Sequence, residues 1–192
     1  HKYAGTADDP DIGFVKNYPV SKDSLKRKFI RDFTGQTGFR DTMNDFRKFK
    51  LSRNYPWVMF HVALLGALTL AGAPWAYLMW WAARLFVFPA IVRLRQIGEH
   101  GTALDRTSLD ARLNTGTTVA PLWQRLIVAP NDVNYHLEHH LLASVPPYRL
   151  GRLHRLLAER GYYEGYDCIS KDYFDVIRRA TKPDEPRMVA AE

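Results

Sequence analysis

The segment from Tyr55 to Leu94 is almost wholly apolar, and it limits the possible folds more than any other part of the chain. Its sequence is YPWVMFHVALLGALTLAGAPWAYLMWWAARLFVFPAIVRL, with the turn-forming residues AGAP near the middle. Each half is about 18 residues long, near the lower limit for a helix that crosses a bilayer. A buried hairpin of a soluble protein is the alternative, but the run is too long and too evenly apolar to favour it. The segment therefore predicts a membrane helical hairpin whose second helix starts at Pro74.

Basic residues flank this segment on both sides, within a chain of 192 residues and formal net charge +7. The flanking cations are Lys26, Arg27, Lys28, Arg31, Arg40, Arg47, Lys48, Lys50 and Arg53 before the segment, and Arg93 and Arg95 at its end. Positive charge at both ends is typical of a hairpin whose two ends are cytoplasmic. The basic residues are not interleaved with the aromatic residues or glycine loops of nucleic-acid-binding modules, so no nucleic acid partner is expected. We predict an integral membrane protein in which both ends of the hairpin lie on the cytoplasmic side.

Aromatic residues and one charge refine this topology. Tyr55 and Trp57 are expected at one membrane interface, and Trp75 and Tyr77 at the other, as amphipathic rings prefer. Arg84 lies within the second apolar half, where an unpaired charge is costly. It must therefore reach the interface, face protein, or mark the end of the lipid-buried part.

Outside the apolar segment, residue spacing predicts further helices. One begins after Ser21 and ends at Gly35, with its apolar face either on the protein surface or in the membrane interface. A second lies in PPYRLGRLHRLLAERG and ends at Gly161, and a short last helix lies in SKDYFDVIRRAT. The predicted fold class is all-α, a membrane helical hairpin plus cytoplasmic helices carrying a histidine cluster. We expect one domain over residues 1–180, with the hairpin at about 55–94, and a disordered tail over 181–192.

Three of the seven histidines lie within NYHLEHHLL. On a helix, His136, His139 and His140 occupy positions i, i+3 and i+4, which share one face. Neutral imidazole is a common ligand for iron, copper and zinc, so this spacing predicts part of a metal site. The position of Glu138 does not fit the zinc-protease motifs, and Cys168, the single cysteine, excludes an internal disulfide and a thiolate cluster. One helix cannot complete a coordination sphere, so other ligands must come from elsewhere.

The other histidines differ in their surroundings. His100 follows the apolar segment, where the chain returns to the predicted cytoplasmic side, and is a candidate ligand. His61 lies about six residues into the first predicted span, roughly 9 Å deep at 1.5 Å per residue. A hydrogen bond between helices is its expected use. His154 lies between Arg152 and Arg155 on a leucine-rich helix and is expected at the surface or as a helix cap.

These motifs resemble the membrane fatty acid desaturase family, the histidine-box di-iron enzymes. The stretch NDVNYHLEHHLLASVPPYRLGRLHRLL is similar to that family's third histidine box with its flanks. RLRQIGEHG resembles the segment after the second hairpin, which carries a further histidine ligand, and RDFTGQTGF also resembles family sequence. The start, HKYAGTADDPD, resembles the stretch at the end of the second box and just after it, which makes His1 the last histidine of that box. The resemblance covers nearly the whole chain.

The resemblance implies two iron ions at the cytoplasmic membrane face. The implied ligands are His1, His100, His136, His139 and His140. The candidates for orienting their imidazoles are Glu99, Asn134 and Glu138, which could also be ordinary polar residues on helix surfaces. The family's first box, HxxxH, is absent, as are the other histidines of the second box and the N-terminal hairpin. We therefore expect a C-terminal part of a longer enzyme, inactive by itself.

The implied activity is O2-dependent desaturation of fatty-acyl chains or lipids. Its electrons would come from NAD(P)H through a reductase and a ferredoxin or cytochrome b5 type carrier. The chain has no nucleotide fingerprint or haem motif, so the donor is a separate protein or lies outside this sequence. A hydroxylase or ketolase on the same scaffold is one alternative, since both reactions need the same kind of oxidant. A non-catalytic membrane metal-binding protein is another.

Overall fold

The computed structural model describes residues 12–15 and 17–181 of the chain. Within these ranges the chain is mostly helical, and its two strands have two residues each, which confirms the predicted all-α class. The α-helices are α1 (Ile12–Val15), α2 (Lys22–Phe33), α3 (Gln36–Arg47), α4 (Leu51–Leu70), α5 (Ala76–Ala82), α6 (Phe88–Gln96), α7 (Ala111–Asn114), α8 (Leu122–Val128), α9 (His136–Leu141), α10 (Pro147–Glu159) and α11 (Tyr173–Thr181). The other elements are two π-helical turns (Ala83–Val87 and Ile97–Gly101), a 3-10 turn (Pro130–Asp132), and the strands β1 (Thr117–Thr118) and β2 (Ile169–Ser170). The predicted ligand His1 and residues 182–192 of the predicted tail lie outside the described residues.

The chain divides into two compact units. The hairpin unit comprises residues 26–90. The histidine unit comprises residues 1–25 and 91–192, of which 12–15, 17–25 and 91–181 are described. The names refer to the helical hairpin and to the histidine cluster that the two units hold.

The helical hairpin forms where the apolar segment predicts it. After α4 the chain turns at Gly72, whose φ of 73° is a conformation that glycine adopts without steric cost. The second helix begins at Ala76 rather than at the predicted Pro74, because Pro74 lies in the turn. It runs through α5, α6 and both π-helical turns to Gly101, past the predicted end at Leu94.

Among the described helices, one is long and apolar enough to cross a membrane by length and composition alone. It is the continuous helix Ala76–Gly101. In the first helix of the hairpin, α4, the first helical turn contains the polar residues Arg53 and Asn54. Over the length that a membrane crossing needs, α4 is less apolar than the helix Ala76–Gly101. A membrane crossing by α4 therefore stays a prediction.

His61 joins α4 to the second helix of the hairpin. Its Nδ1 atom lies 2.8 Å from the hydroxyl of Tyr77, and its ring centroid lies 4.1 Å from that of Trp57 and 4.4 Å from that of Trp80. The predicted hydrogen bond between helices is therefore confirmed. The assignment of Trp57 and Tyr77 to opposite membrane interfaces is wrong, because both side chains contact this one histidine.

Helix α3 packs closely against the first π-helical turn. Gly38 allows this approach, since a Cβ atom there would lie 2.2 Å from the carbonyl oxygen of Leu85. From the same turn, the guanidinium of Arg84 forms an ion pair with Asp45 at 2.9 Å. Arg84 therefore faces protein, which is one of the three arrangements that its apolar surroundings allow.

Helix α2 starts and ends as the sequence predicts. The hydroxyl of Ser21 accepts a hydrogen bond from the backbone N–H of Ser24 at 3.2 Å, and Gly35 follows the helix with a φ of 81°. Ile30 and Phe33 on its apolar face are exposed. That exposure fits both a surface position and a position in the membrane interface.

In the histidine unit, β1 connects three segments that are distant in sequence. It pairs with β2 in parallel. The backbone N–H of Gly116, just before β1, donates to the carbonyl oxygen of Glu99 at 2.8 Å, and that of Thr118 donates to the carbonyl oxygen of Asn134 at 3.0 Å. The strand thus ties the second π-helical turn to the segment that leads into α9.

Candidate metal centre

The second π-helical turn presents His100 near the end of the long helix. All residues of this turn are buried, and π-helical turns are frequent at functional sites. Gly98 leaves little room for a side chain, since a Cβ atom would lie 3.2 Å from the hydroxyl of Thr118. Arg106 donates to the carbonyl oxygens of His100 and Gly101 at 3.0 and 2.9 Å. These contacts fix the backbone from which His100 projects.

The carbonyl oxygen of Asn114 orients the ring of His100. It lies 3.3 Å from Nδ1. A carbonyl oxygen only accepts hydrogen bonds, so Nδ1 carries the hydrogen and Nε2 keeps its lone pair. A metal-ligating histidine commonly donates its other N–H to such a partner. His100 is therefore prepared to bind a metal through Nε2.

Helix α9 turns His136 and His140 toward His100. The ring centroid of His100 lies 4.8 Å from that of His136 and 5.3 Å from that of His140, and the latter two lie 4.5 Å apart. Each residue offers one nitrogen, and these three atoms lie within 4.8 Å of one another. We call these three residues the histidine cluster.

One pair in the cluster has a spacing that fits a shared metal ion. The Nε2 atoms of His100 and His136 lie 3.0 Å apart. Two nitrogens that each lie about 2.1 Å from one metal, roughly at right angles, are about 3.0 Å apart. The donor set is therefore compatible with iron, for which imidazole is a common ligand.

His139 lies beside the histidine cluster. Its ring centroid is 6.0 Å from that of His136 and 6.2 Å from that of His140. Of the five predicted ligands, the structure brings three together, places His139 next to them, and does not describe His1. Their binding of a metal stays a prediction.

Burial and repulsion from neighbouring imidazoles keep His136 and His140 neutral. Burial lowers the pKa of His136 well below its usual value, and the nearby His100, His140 and His139 add to the effect. Burial, followed by the charges of His100 and His139, lowers the pKa of His140 to about 4. A neutral imidazole has a free lone pair, so both side chains are available as ligands at neutral pH.

Two of the three predicted orienting residues are Glu99, which lies near the cluster, and Asn134, which lies just before α9. Oε1 of Glu99 lies 3.8 Å from Nδ1 of His136 and 3.0 Å from Nε of Arg95. Asn134 is buried, and its side-chain amide donates to the carbonyl oxygen of Thr118 at 2.9 Å. Glu99 thus lies near a cluster imidazole, while Asn134 holds the segment that leads into α9.

The third, Glu138, is fully buried and accepts hydrogen bonds from Thr117, His154 and Tyr163. The prediction that His154 is a surface or capping residue is wrong, because its side chain is only 15% exposed and its Nδ1 lies 2.6 Å from Glu138. A sequence signal did exist: His154 follows the buried Leu150 by four residues, so both share the inward face of α10. Thr117 and Tyr163 carry no motif that would have indicated them.

The chain matches a known family model. The family model described as fatty acid desaturase matches residues 1–171. No curated protein and no solved structure matches the chain. The matched range contains the long helix, the histidine cluster and Glu138 with its three partners.

Proposed function

The chain belongs to the fatty acid desaturase family, and from that premise we propose that it performs O2-dependent desaturation of fatty-acyl chains or lipids at a histidine-held di-iron site. The observation that carries the proposal is the convergence of His100, His136 and His140, whose nitrogens lie within 4.8 Å of one another. The proposed ligand set adds His139, from the same helix, and His1. Membership in the family supports an oxidoreductase that acts on lipids.

Iron, when bound, supplies an O2-derived oxidant strong enough for an unactivated C–H bond, which no amino-acid side chain provides. The chain's own residues prepare the site for it. Burial keeps His136 and His140 neutral near pH 7, so their lone pairs are available. Asn114 holds the hydrogen of His100 on Nδ1, so Nε2 keeps its lone pair. The carboxylate of Glu99, near Nδ1 of His136, favours the tautomer in which that nitrogen carries the hydrogen.

The apolar helices explain why such a site belongs beside a membrane. The continuous helix Ala76–Gly101 is apolar enough to lie in a bilayer and carries His100 near its end. An acyl chain can thereby reach the site without crossing water. We propose that the site lies at the cytoplasmic face, because basic residues flank the apolar segment.

The electron donor in this proposal is a separate carrier. A ferredoxin or cytochrome b5 type protein, reduced by an NAD(P)H reductase, would deliver electrons to the site. Lys22, Lys26 and Arg27, on or near the exposed side of α2, offer positive charge for an acidic carrier.

The proposal is tested by expressing the protein from its complete reading frame in membranes, and by analysing acyl chains by gas chromatography and mass spectrometry. We expect new double bonds that require O2, iron and a reductant, and that disappear in a His136→Ala variant. Tyr162→Phe, which alters a ring outside the cluster, is the control and should retain the products. Hydroxylated or keto products would instead identify a hydroxylase or ketolase. Bound iron without any lipid oxidation would identify a metal-binding protein and contradict the proposal.

A further inference from the structure

The carboxylate of Glu138 is the most completely surrounded charged group in the described part of the histidine unit. Its residue is 0% exposed. His154 Nδ1 lies 2.6 Å from Oε1, the hydroxyl of Tyr163 lies 2.5 Å from the same oxygen, and the hydroxyl of Thr117 donates to Oε2. A buried carboxylate is costly unless its oxygens are hydrogen-bonded. Here both oxygens have partners, so the group holds its surroundings in place.

The three donors come from different parts of the fold. Thr117 lies on β1, His154 lies on α10, and Tyr163 lies in the turn that follows α10. Each is at least 16 residues from Glu138 in sequence. The carboxylate therefore connects α9 to one strand and one helix that the chain brings together only on folding.

Helix α9 needs such support because it is short. It has six residues, His136–Leu141, and no side-chain cap at its N-terminal end. A helix of this length is not stable by itself in water. The hydroxyl of Thr117 accepts a hydrogen bond from the backbone N–H of Leu137 at 3.3 Å. Thr117 thus satisfies a first-turn N–H that α9 cannot satisfy internally.

Glu138 and the cluster ligands lie on opposite sides of α9. Glu138 is two residues from His136 and two residues from His140. At about 100° per residue, it lies roughly 200° around the helix from each of them. A hold on the Glu138 side therefore sets the rotation at which His136 and His140 face His100.

We propose that Thr117, His154 and Tyr163 are positioning residues of the metal centre. They act through Glu138, and they fix the rotation and depth of α9 so that its two cluster imidazoles meet His100. The metal part of this inference rests on the proposed function, whereas the hold on α9 does not depend on a metal.

The first experiment measures hydrogen exchange of the amides of α9 in the metal-free chain in detergent. Thr117→Val removes the hydroxyl at nearly constant shape, and Thr117→Ser restores it. We expect Thr117→Val and Tyr163→Phe to speed exchange across α9 by at least about tenfold. Thr117→Ser and the control Tyr162→Phe should exchange like the parent. Exchange in Thr117→Val that matches the parent would overturn the proposal.

The second experiment titrates Co²⁺, whose visible absorption reports ligand number and geometry. We expect Thr117→Val, Tyr163→Phe and His154→Leu to weaken binding about 10- to 100-fold and to change the absorption bands. Thr117→Ser should restore both, and His154→Asn should restore them in part because it keeps a donor nitrogen. If Thr117→Val, Tyr163→Phe and His154→Leu each leave the Co²⁺ affinity and the absorption bands as they are in the parent, that result would overturn the positioning role.

The two experiments separate this inference from the proposed function. A parent protein that is expressed from its complete reading frame and binds no Co²⁺ contradicts the metal centre itself, and with it the metal part of the inference. The exchange measurement still decides whether Glu138 and its donors hold α9. Metal binding in the parent together with unchanged exchange in Thr117→Val supports the proposed function and rejects the inference.

Discussion

The two units of the chain differ in the polar side chains they bury and in the apolar side chains they expose. Among the described residues, twelve of the fifteen buried polar or charged side chains belong to the histidine unit, and three belong to the hairpin unit. The exposed large apolar side chains show the reverse distribution. Eighteen of twenty-eight belong to the hairpin unit, although it is the smaller of the two.

This difference indicates that hydrogen bonds fix side-chain positions in the histidine unit, whereas the hairpin unit presents apolar surface. Buried polar groups must be hydrogen-bonded, and hydrogen bonds have narrow geometry, so the histidine unit holds its side chains at defined distances. The exposed apolar side chains of the hairpin unit are of the kind that contact a membrane or a partner protein. One unit is therefore suited to chemistry and the other to contact with a membrane or a partner protein.

The largest effect is expected from His136→Ala in the histidine unit. The substitution removes the nitrogen that lies 3.0 Å from Nε2 of His100. We expect the affinity for Co²⁺ to fall by more than about 100-fold, since even residues behind the ligands affect it by 10- to 100-fold. Calorimetric titration measures this. His61→Ala is the matched control, because the described contacts of His61 lie within the hairpin unit. An equal loss in His61→Ala would reject the functional division between the units.

The next effect is expected from Gly38→Ala in the hairpin unit. The new methyl group would lie 2.2 Å from a backbone oxygen of Leu85, so α3 must move away from the π-helical turn. We expect a loss of about 3 kcal/mol in unfolding free energy, at the upper end of the usual cost of overpacking. Tryptophan fluorescence during unfolding in detergent reports this, since four of the five tryptophans lie in this unit.

Gly66→Ala is the control for that substitution. Gly66 lies within α4 and has open space around its Cβ position. Alanine there should be neutral or should stabilise the helix by up to about 1 kcal/mol. Equal destabilisation by both substitutions would show that helix propensity, rather than the close approach at Leu85, determines the result.

Residue spacing predicted the parts of the molecule that depend on near neighbours in sequence. The turn at Gly72, the helix that ends at Gly35, and the common face of His136 and His140 all follow from local patterns. His100 was a candidate because it follows the apolar segment, and its resemblance to a family motif supported that choice. Periodicity and turn residues are local signals, so these predictions hold without knowledge of the tertiary structure.

Contacts between distant segments could not be predicted in the same way. Strands β1 and β2 have two residues each, too few to show a period of two. Glu138 meets His154 and Tyr163 only after α10 has folded back beside α9, and no spacing rule links residues on different helices. Asn114 orients His100 through a backbone carbonyl oxygen, a group that every residue possesses and that no sequence pattern marks.

A smaller effect is expected when the pH changes, and it should come from the histidine unit. The pKa of His140 is lowered to about 4 and that of His136 is well below its usual value, mainly because of burial. In the unfolded chain both titrate near 6.5. Between those values the unfolded chain binds more protons, so stability is full above pH 6.5 and falls as the pH drops toward 4.

Urea unfolding of the metal-free chain in detergent at several pH values measures this loss. Each histidine contributes at most about 1.4 kcal/mol per pH unit. Other groups titrate in the same range, so the informative quantity is the difference between the parent and His140→Asn. We expect a shallower dependence in the variant. Identical pH dependence in both would show that His140 titrates as freely in the folded chain as in the unfolded one.

The smallest effect is expected from Asp45→Asn in the hairpin unit, which breaks the ion pair with Arg84. The side chain of Asp45 is 72% exposed and that of Arg84 is 22% exposed. An ion pair accessible to water contributes about 1 kcal/mol or less, and salt weakens it. We therefore expect a loss below about 1 kcal/mol, and a smaller loss at high ionic strength. Asp41→Asn, which breaks the exposed pair with Arg40 at 3.2 Å, is the matched control and should behave alike.

If Arg84 lies at a lipid-facing depth, Asp45→Asn leaves an unpaired charge in an apolar environment. The loss then rises to about 3 kcal/mol or more, while the loss in Asp41→Asn remains small. Unfolding measured first in micelles and then in lipid bilayers distinguishes the two results, and it shows whether water or lipid surrounds the hairpin unit at the level of Arg84.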